Sequence, residues 1–335
     1  MENRKILLFT VPFCWVFIFL LCWKSGTVII TWAQLKNTIF GTTDPDQINI
    51  ILLQVRLPRL LLAALTGATL SLTGAVFQAL LRNPLADPYI LGISGGSALG
   101  AVVAMGLGLH LMIIGFQIIP IFAICGALLT ILFVYNFSRI GNYLPTQMML
   151  LVGISLQAML AALILFLQSL LDPLQLMQVF TWLMGNIPAP EYGNLLWIFL
   201  YVVLAIGVIL PQARHLNALT LGELDAQIVG VDVERLKKIL FFACSLLTGS
   251  IVALTGLIGF VGIIIPHLLR LLIGPDHRRL LPACIIAGSI FMVVADTLAR
   301  TLLSPTEIPV GVITALIGGP FFLFLLWKNK RKGMR

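Results

Sequence analysis

Long apolar runs separated by short polar stretches organise the whole chain. A hydrocarbon core of ~30 Å takes about 20 helical residues. Ten runs of that order can be marked: about 6–30, 59–81, 91–109, 113–137, 146–170, 194–211, 237–256, 258–273, 281–303 and 308–327. The seventh and eighth are parted only by the glycines around Gly256, Gly259 and Gly262, so hydropathy alone also allows one long run. Charge favours ten. With ten spans and the N-terminus inside, sixteen of the 21 Lys and Arg lie on the cytoplasmic side, and Lys24, Lys36, Arg56, Arg59 and Arg300 lie outside. Merging the two runs would put either Arg278 and Arg279 or the basic C-terminal tail on the wrong side, against the positive-inside bias. The first run, behind Arg4 and Lys5, is long for a signal peptide and no A-x-A site follows, so a retained span is predicted.

Composition narrows the class. Of 335 residues, 59% are apolar and 10% charged, against about 25% charged in soluble domains. A water-soluble fold has no interior large enough to hide that much apolar surface, and disordered chains are poor in it. The expectation is an all-α polytopic membrane protein forming one permease domain over 1–335. Its net charge of +8 is read as topology rather than as a nucleic-acid footprint. Cys14, Cys22, Cys125, Cys244 and Cys284 all fall inside apolar runs without CxxC spacing, so they are read as packing residues, with no metal site, disulfide or cofactor.

Two stretches echo each other. Thr66–Gly74 and Thr248–Gly256 share both Thr-Gly pairs and the Leu before the second pair. They lie in spans of opposite direction, which suggests an inverted repeat of about spans 2–5 and 7–10, a hallmark of transporters. Chance is the competing explanation, because Gly, Thr and Leu are common wherever membrane helices pack closely.

Few residues offer chemistry. No phosphate-binding G-x-x-x-x-G-K-[ST] and no H-E-x-x-H occur, and His110, His215, His267 and His277 are dispersed. Gly92-Ile93-Ser94-Gly95-Gly96 fits G-x-S-x-G, yet its run of small residues suits helix packing better than a serine nucleophile. Asp296 lies at membrane depth with Arg300 one turn on. It reads either as the proton-coupling acid of a secondary transporter or, preferably, as half of an internal ion pair. The polar segment 212–238 carries apolar residues at 221, 224, 228 and 231 and is punctuated by Gly222 and Gly230. Helical spacing in a loop implies docking, on the protein itself or on a partner such as a motor domain. Across the membrane, Arg56, Arg59 and Arg300 sit at span ends, as a fork for acidic side chains or as snorkelling anchors.

Several motifs carry a family resemblance. They are Arg56-Leu57-Pro58-Arg59, Gly74–Gln78 running into Asn83-Pro84-Leu85-Ala86-Asp87-Pro88, and Leu91–Gly96. Further on come Leu221-Gly222-Glu223 with Ala226 and Gly230-Val231, Gly259-Phe260-Val261-Gly262 with Ile265-Pro266-His267, and Glu307–Gly311 with Gly319–Phe322. The chain resembles, over essentially its whole length, the ten-span permeases of vitamin B12, iron-siderophore and haem uptake, which belong to ATP-binding-cassette (ABC) importers. The resemblance implies the inverted repeat and a homodimer with the pathway at its interface, importing a bulky metal chelate by alternating access. It implies that hydrolysis belongs to two copies of a separate ATP-binding subunit docked on Leu221, Gly222, Glu223, Leu224, Ala226, Ile228 and Gly230. An extracytoplasmic binding protein would set acidic residues on Arg56, Arg59 and Arg300. The setting implied is the bacterial cytoplasmic (inner) membrane, with both termini inside. Val229, where the family usually has Leu, is a small departure.

Overall fold

The computed structural model describes residues 15–41, 47–109, 112–113 and 116–333. Its helices run in order as α1 (Trp15–Lys24), α2 (Trp32–Phe40), α3 (Gln47–Leu80), α4 (Ile93–Gly106), α5 (Ile118–Ser138), α6 (Thr146–Gln168) and α7 (Pro173–Leu183). The second half holds α8 (Tyr192–Ile209), α9 (Ala213–Leu221), α10 (Glu223–Ile228), α11 (Val233–Thr255), α12 (Val261–Ile273), α13 (His277–Thr301) and α14 (Val310–Gly333). The strands are a two-residue pair, β1 (Met112–Ile113) and β2 (Phe116–Gln117).

Six helical stretches among the described residues are long and apolar enough to cross a membrane: α3, α5, α6, α8 running on into α9, α11 and α13. The shorter apolar helices α1, α4, α12 and the first part of α14 occupy the other four expected positions. Residues 6–14 of the first expected span, with Arg4 and Lys5, lie outside the described residues. Two helices outside the expected spans are set by local capping rather than by hydropathy. Thr31 and Gln34 close a capping box on α2, and Asp172 and Gln175 close another on α7, with Pro173 in its first turn. Both are too short to register as apolar runs.

The repeat is written into the packing. α3 and α11 carry the two Thr-Gly echoes and cross each other, Thr248 Oγ1 lying 3.3 Å from Thr73 Oγ1. α3 packs on α12 and α13, while α11 packs on α4 and α5. Within the halves, α4–α5, α5–α6 and α4–α6 are matched by α12–α13, α13–α14 and α12–α14. Exchanging the two sets of four helices maps the contact pattern onto itself. One aligned pair of glycines plays matching parts: a methyl on Gly67 would overlap the Gly288 carbonyl of α13, and one on Gly249 would press on Ala127 of α5; in the other pair Gly74 meets Gly262 of α12 while Gly256 meets the Trp182 carbonyl of α7. Both short helices α4 and α12 start from a left-handed residue, Gly92 at φ 78° and Phe260 at φ 70°. The second is costly for a residue bearing a Cβ.

Burial is uneven. α3 is enclosed from Pro58 to Leu80, as the central helix of the bundle. α6 and α8 present large apolar side chains outward, among them Leu151, Ile154, Leu163, Leu196 and Leu204. In water such faces would aggregate; in a bilayer they meet lipid or a partner helix.

Candidate functional site

The segment after α8 folds as two short helices with a bend. Gly222 sits at φ 152°, ψ 155°, a backbone region kept almost entirely to glycine, and this lets α10 leave α9 abruptly. Gly230, at φ 85°, closes the far end. Ala226 is fully buried and pins α10 to the protein. Of the predicted stripe, Leu221, Leu224 and Ile228 face the other way at 78%, 75% and 83% exposed, joined by Val229 at 69%, whereas Val231 packs against the core. The segment thus presents an apolar knuckle that its own chain leaves uncovered.

A buried charge cluster holds the knuckle in place. Glu223 receives Lys237 Nζ at 2.8 Å, the Tyr143 hydroxyl at 3.1 Å and the Thr146 hydroxyl at 3.3 Å. Lys237, in the second turn of α11, is wholly buried and also donates to Glu234 and to the Leu144 carbonyl, each at 3.1 Å. Glu234 in turn accepts from the Leu144 backbone N–H at 2.7 Å. Burial on its own would push the Glu223 carboxyl up. The bond and charge of Lys237, helped by Tyr143 and Arg82, overcome that and hold it below the usual carboxylate range. α10 is thereby tied to α11 and to the α5–α6 turn. α9 has its own tether, since Asn217 donates to Asp276 at 2.7 Å and accepts from the His277 backbone N–H at 2.9 Å at the start of α13. Arg278 and then Asn217 keep the Asp276 carboxyl far below its ordinary value.

In the sequence Lys237 is one more topological charge. Its three-residue spacing from Glu234 is the one local signal of a pairing. The fourteen-residue separation from Glu223 is close to four helical turns, but the helix is broken between Ile228 and Val233, so that spacing carries no signal of the pairing.

At the opposite end of the bundle the predicted arginines meet a different fate. Asp296 is completely buried, with one oxygen on Arg59 Nε and the other on Arg300 Nε, both at 3.0 Å. Arg59 continues to Glu307 at 2.9 Å. The internal ion pair read from Asp296 and Arg300 is present, and Arg59 makes it a triad. Arg56 is turned inward, donating to the Lys24 and Val28 carbonyls at 2.6 Å and to that of Trp23 at 3.3 Å, where it secures the loop after α1. Arg56 and Arg300 are 4% and 5% exposed, so a surface of three free guanidinium groups is not what this conformation offers. The physical reason is desolvation: buried cations take up the nearest carboxylate and carbonyls. The accessible member is the half-exposed Glu307, which lies on the largely buried Arg59.

The Gly92–Gly96 motif serves packing. A methyl on Gly95 would strike the Gln157 side chain, and one on Gly96 would strike Thr130 and the Gly126 carbonyl. No histidine is hydrogen-bonded to Ser94 among the described residues.

A membrane bundle with a repeat exchanging its two halves, and with an outward-facing lever tied to its helices, is the architecture of a transport permease. Residues 14–328 match the FecCD transport family, and the chain belongs to it. It is 41% identical to an uncharacterized ABC transporter permease protein, YvrB, of Bacillus subtilis, over 91% of this chain and 86% of the relative. It is 43% identical to the cobalamin import system permease protein BtuC of Halobacterium salinarum, over 89% of this chain and 78% of the relative. The fold matches a metal-chelate type ABC transporter solved in an inward-facing conformation, with TM-score 0.82 and 33% identity, covering 97% of this chain and 99% of the other. The chain is therefore a permease subunit of an ABC importer, and proton-coupled transport through Asp296 gives way to that assignment.

Proposed function

We propose that the chain is the ten-span permease of a metal-chelate importer, working as a homodimer in the bacterial cytoplasmic membrane with both termini inside. Two copies of an ATP-binding subunit seat on the knuckle formed by Leu221, Leu224 and Ile228. Gly222 and Gly230 set its shape, and Ala226 and Glu223 hold it to the bundle. The observation that carries this reading is the pairing of an uncovered apolar surface with a buried anchor. Exposed Leu and Ile invite a partner, and the Glu223–Lys237 bond transmits its movement to α11. ATP binding and hydrolysis in the partner then rock the two repeat halves and open the path to either side. Corrinoids, haem and ferric siderophores are the cargo class. An extracytoplasmic binding protein docks at the other end, with Glu307 as its accessible contact and Arg59, Arg56 and Arg300 as the underlying support.

The test is reconstitution of the permease with its ATP-binding subunit and binding protein. Leu224→Asp with Ile228→Asp should abolish cargo-stimulated hydrolysis and uptake while the permease still folds. Unchanged stimulation would overturn the coupling role.

A further inference from the structure

The knuckle on α10 stands between two basic flanks. At its Glu223 end, the α5–α6 turn brings up Arg139, whose Nε donates to the Gly141 carbonyl, and Asn142, which accepts from Lys238 Nζ at 3.0 Å. Tyr143 of the same turn holds Glu223. At its Gly230 end, a crevice of about 320 Å³ opens between the start of α9 and that of α11, with Gln212 and His215 on one wall and Asp232 and Arg235 on the other. Arg214, beside His215, lines a second cavity of about 580 Å³ with Arg278.

Charge on this face is one-sided. Arg139, Arg214, Arg235, Lys238 and Arg279 make no ion pair among the described residues. The acids are already engaged: Glu223, Glu234 and Asp276 are paired, and the Asp232 carboxylate accepts from the Arg235 backbone N–H at 3.0 Å as the cap of α11. Among the described residues, the exposed Asp225 is left as the acid of this face with neither a cation nor a cap. The chain's own ends do not neutralise the surplus, because 1–14 hold Glu2 against Arg4 and Lys5, and 328–335 hold five bases and no acid.

Protein interfaces set an apolar centre inside a polar rim, and charges across the rim are complementary. An anionic lipid head group would satisfy these cations and leave Leu224 and Ile228 in water. A second copy of the same face carries the same surplus and is repelled. We propose that the partner seated here carries acidic side chains around an apolar pocket, one set entering beside Arg235 and another beside Lys238. The proposal rests on the knuckle being the docking surface for an ATP-binding subunit, and adds the chemistry of that subunit's rim. The two zones divide the work: the charged rim steers encounter, and the apolar centre holds the complex.

Biolayer interferometry of the full-length permease in phosphatidylcholine nanodiscs, with the purified ATP-binding subunit in solution, separates the two. Raising NaCl from about 50 to about 500 mM should slow association about tenfold and change dissociation less than about twofold. Arg214→Gln with Arg235→Gln, which breaks no internal ion pair, should slow association about fivefold at low salt and flatten its salt dependence. Arg214→Lys with Arg235→Lys, which keeps the charge, should associate as the wild type does. So should Lys36→Gln, a loss of charge at the other end of the molecule. Leu224→Asp with Ile228→Asp should abolish stable capture at every salt concentration. Association indifferent to salt and to the Gln variants, with capture still lost on Leu224→Asp with Ile228→Asp, would overturn the acidic rim and leave the knuckle as the docking surface. Capture that survives Leu224→Asp with Ile228→Asp would overturn the docking itself, and the rim with it. A dependence on salt and on the two arginines that appears only when phosphatidylglycerol replaces phosphatidylcholine would assign the cations to lipid, and would equally overturn the proposal.

Discussion

Lys237 and Asp296 are the two residues on which most depends, and they solve the same problem at opposite ends of the molecule. Each is a fully buried charge, and each is shared between two opposite charges: Lys237 between Glu223 and Glu234, Asp296 between Arg59 and Arg300. Removing one member of a buried ion pair leaves its partners desolvated and unpaired, a loss of about 3–5 kcal/mol. Lys237→Met and Asp296→Asn should therefore each lower the thermal midpoint of the detergent-solubilised protein by several degrees, read by dye-monitored melting. A surface charge such as Lys36 changed to Met should leave it unmoved. The Glu223 carboxyl also sets a pH dependence. Its folded value lies below the unfolded one, near 4.3, so the anchor's contribution is fully present at neutral pH and above. It is lost as the pH falls through the lower folded value. Hydrogen exchange of residues 223–228 should quicken in that acid range, and Glu223→Gln should remove the pH step.

Elements meet here through glycine. α3 and α13 approach until Gly67 and Gly288 lie backbone to backbone, and Gly74 does the same against Gly262 of α12. In lipid the hydrophobic effect does not drive helices together, so close van der Waals approach carries much of the association. Gly67→Ala and Gly288→Ala should each force α3 from α13 and lower the yield of folded, monodisperse protein severalfold in size-exclusion profiles of membrane extracts. Gly193→Ala, where a methyl meets open space, is the matched control. The small-residue pattern and the Thr-Gly echo are legible along the chain itself. That Gly67 and Gly249 contact matching helices of opposite halves is not, because sequence spacing does not encode which helix lies across an interface.

For the whole molecule, the proposed coupling places the energy source outside the chain. Asp296 is locked between two arginines, and the lever carries the only proposed route for work to enter. Proteoliposomes containing the permease alone should show no cargo uptake under an imposed pH gradient, and uptake should appear when the ATP-binding subunit, the binding protein and ATP are supplied. Glu223→Gln in that assembly should leave subunit association intact, since the exposed side chains of Leu221, Leu224, Ile228 and Val229 are unchanged. It should lower cargo moved per ATP hydrolysed severalfold, because the lever is then loosely fixed. Uptake driven by the gradient alone would restore Asp296 as a coupling acid.

The sequence by itself determined the membrane class, the positions of most helices, the Thr-Gly echo of the repeat, and the apolar spacing within the segment 212–238. Those features rest on hydropathy, charge bias and short-range spacing, all of which are local along the chain. Only the tertiary structure decided that the apolar stripe of 221–229 faces outward, that Lys237 is its buried anchor, and that Arg56 and Arg300 turn inward rather than forming an open docking surface. The reason is that a long charged side chain takes whichever partner desolvation makes cheapest, and that partner is supplied by packing between residues as far apart as Arg59 and Asp296.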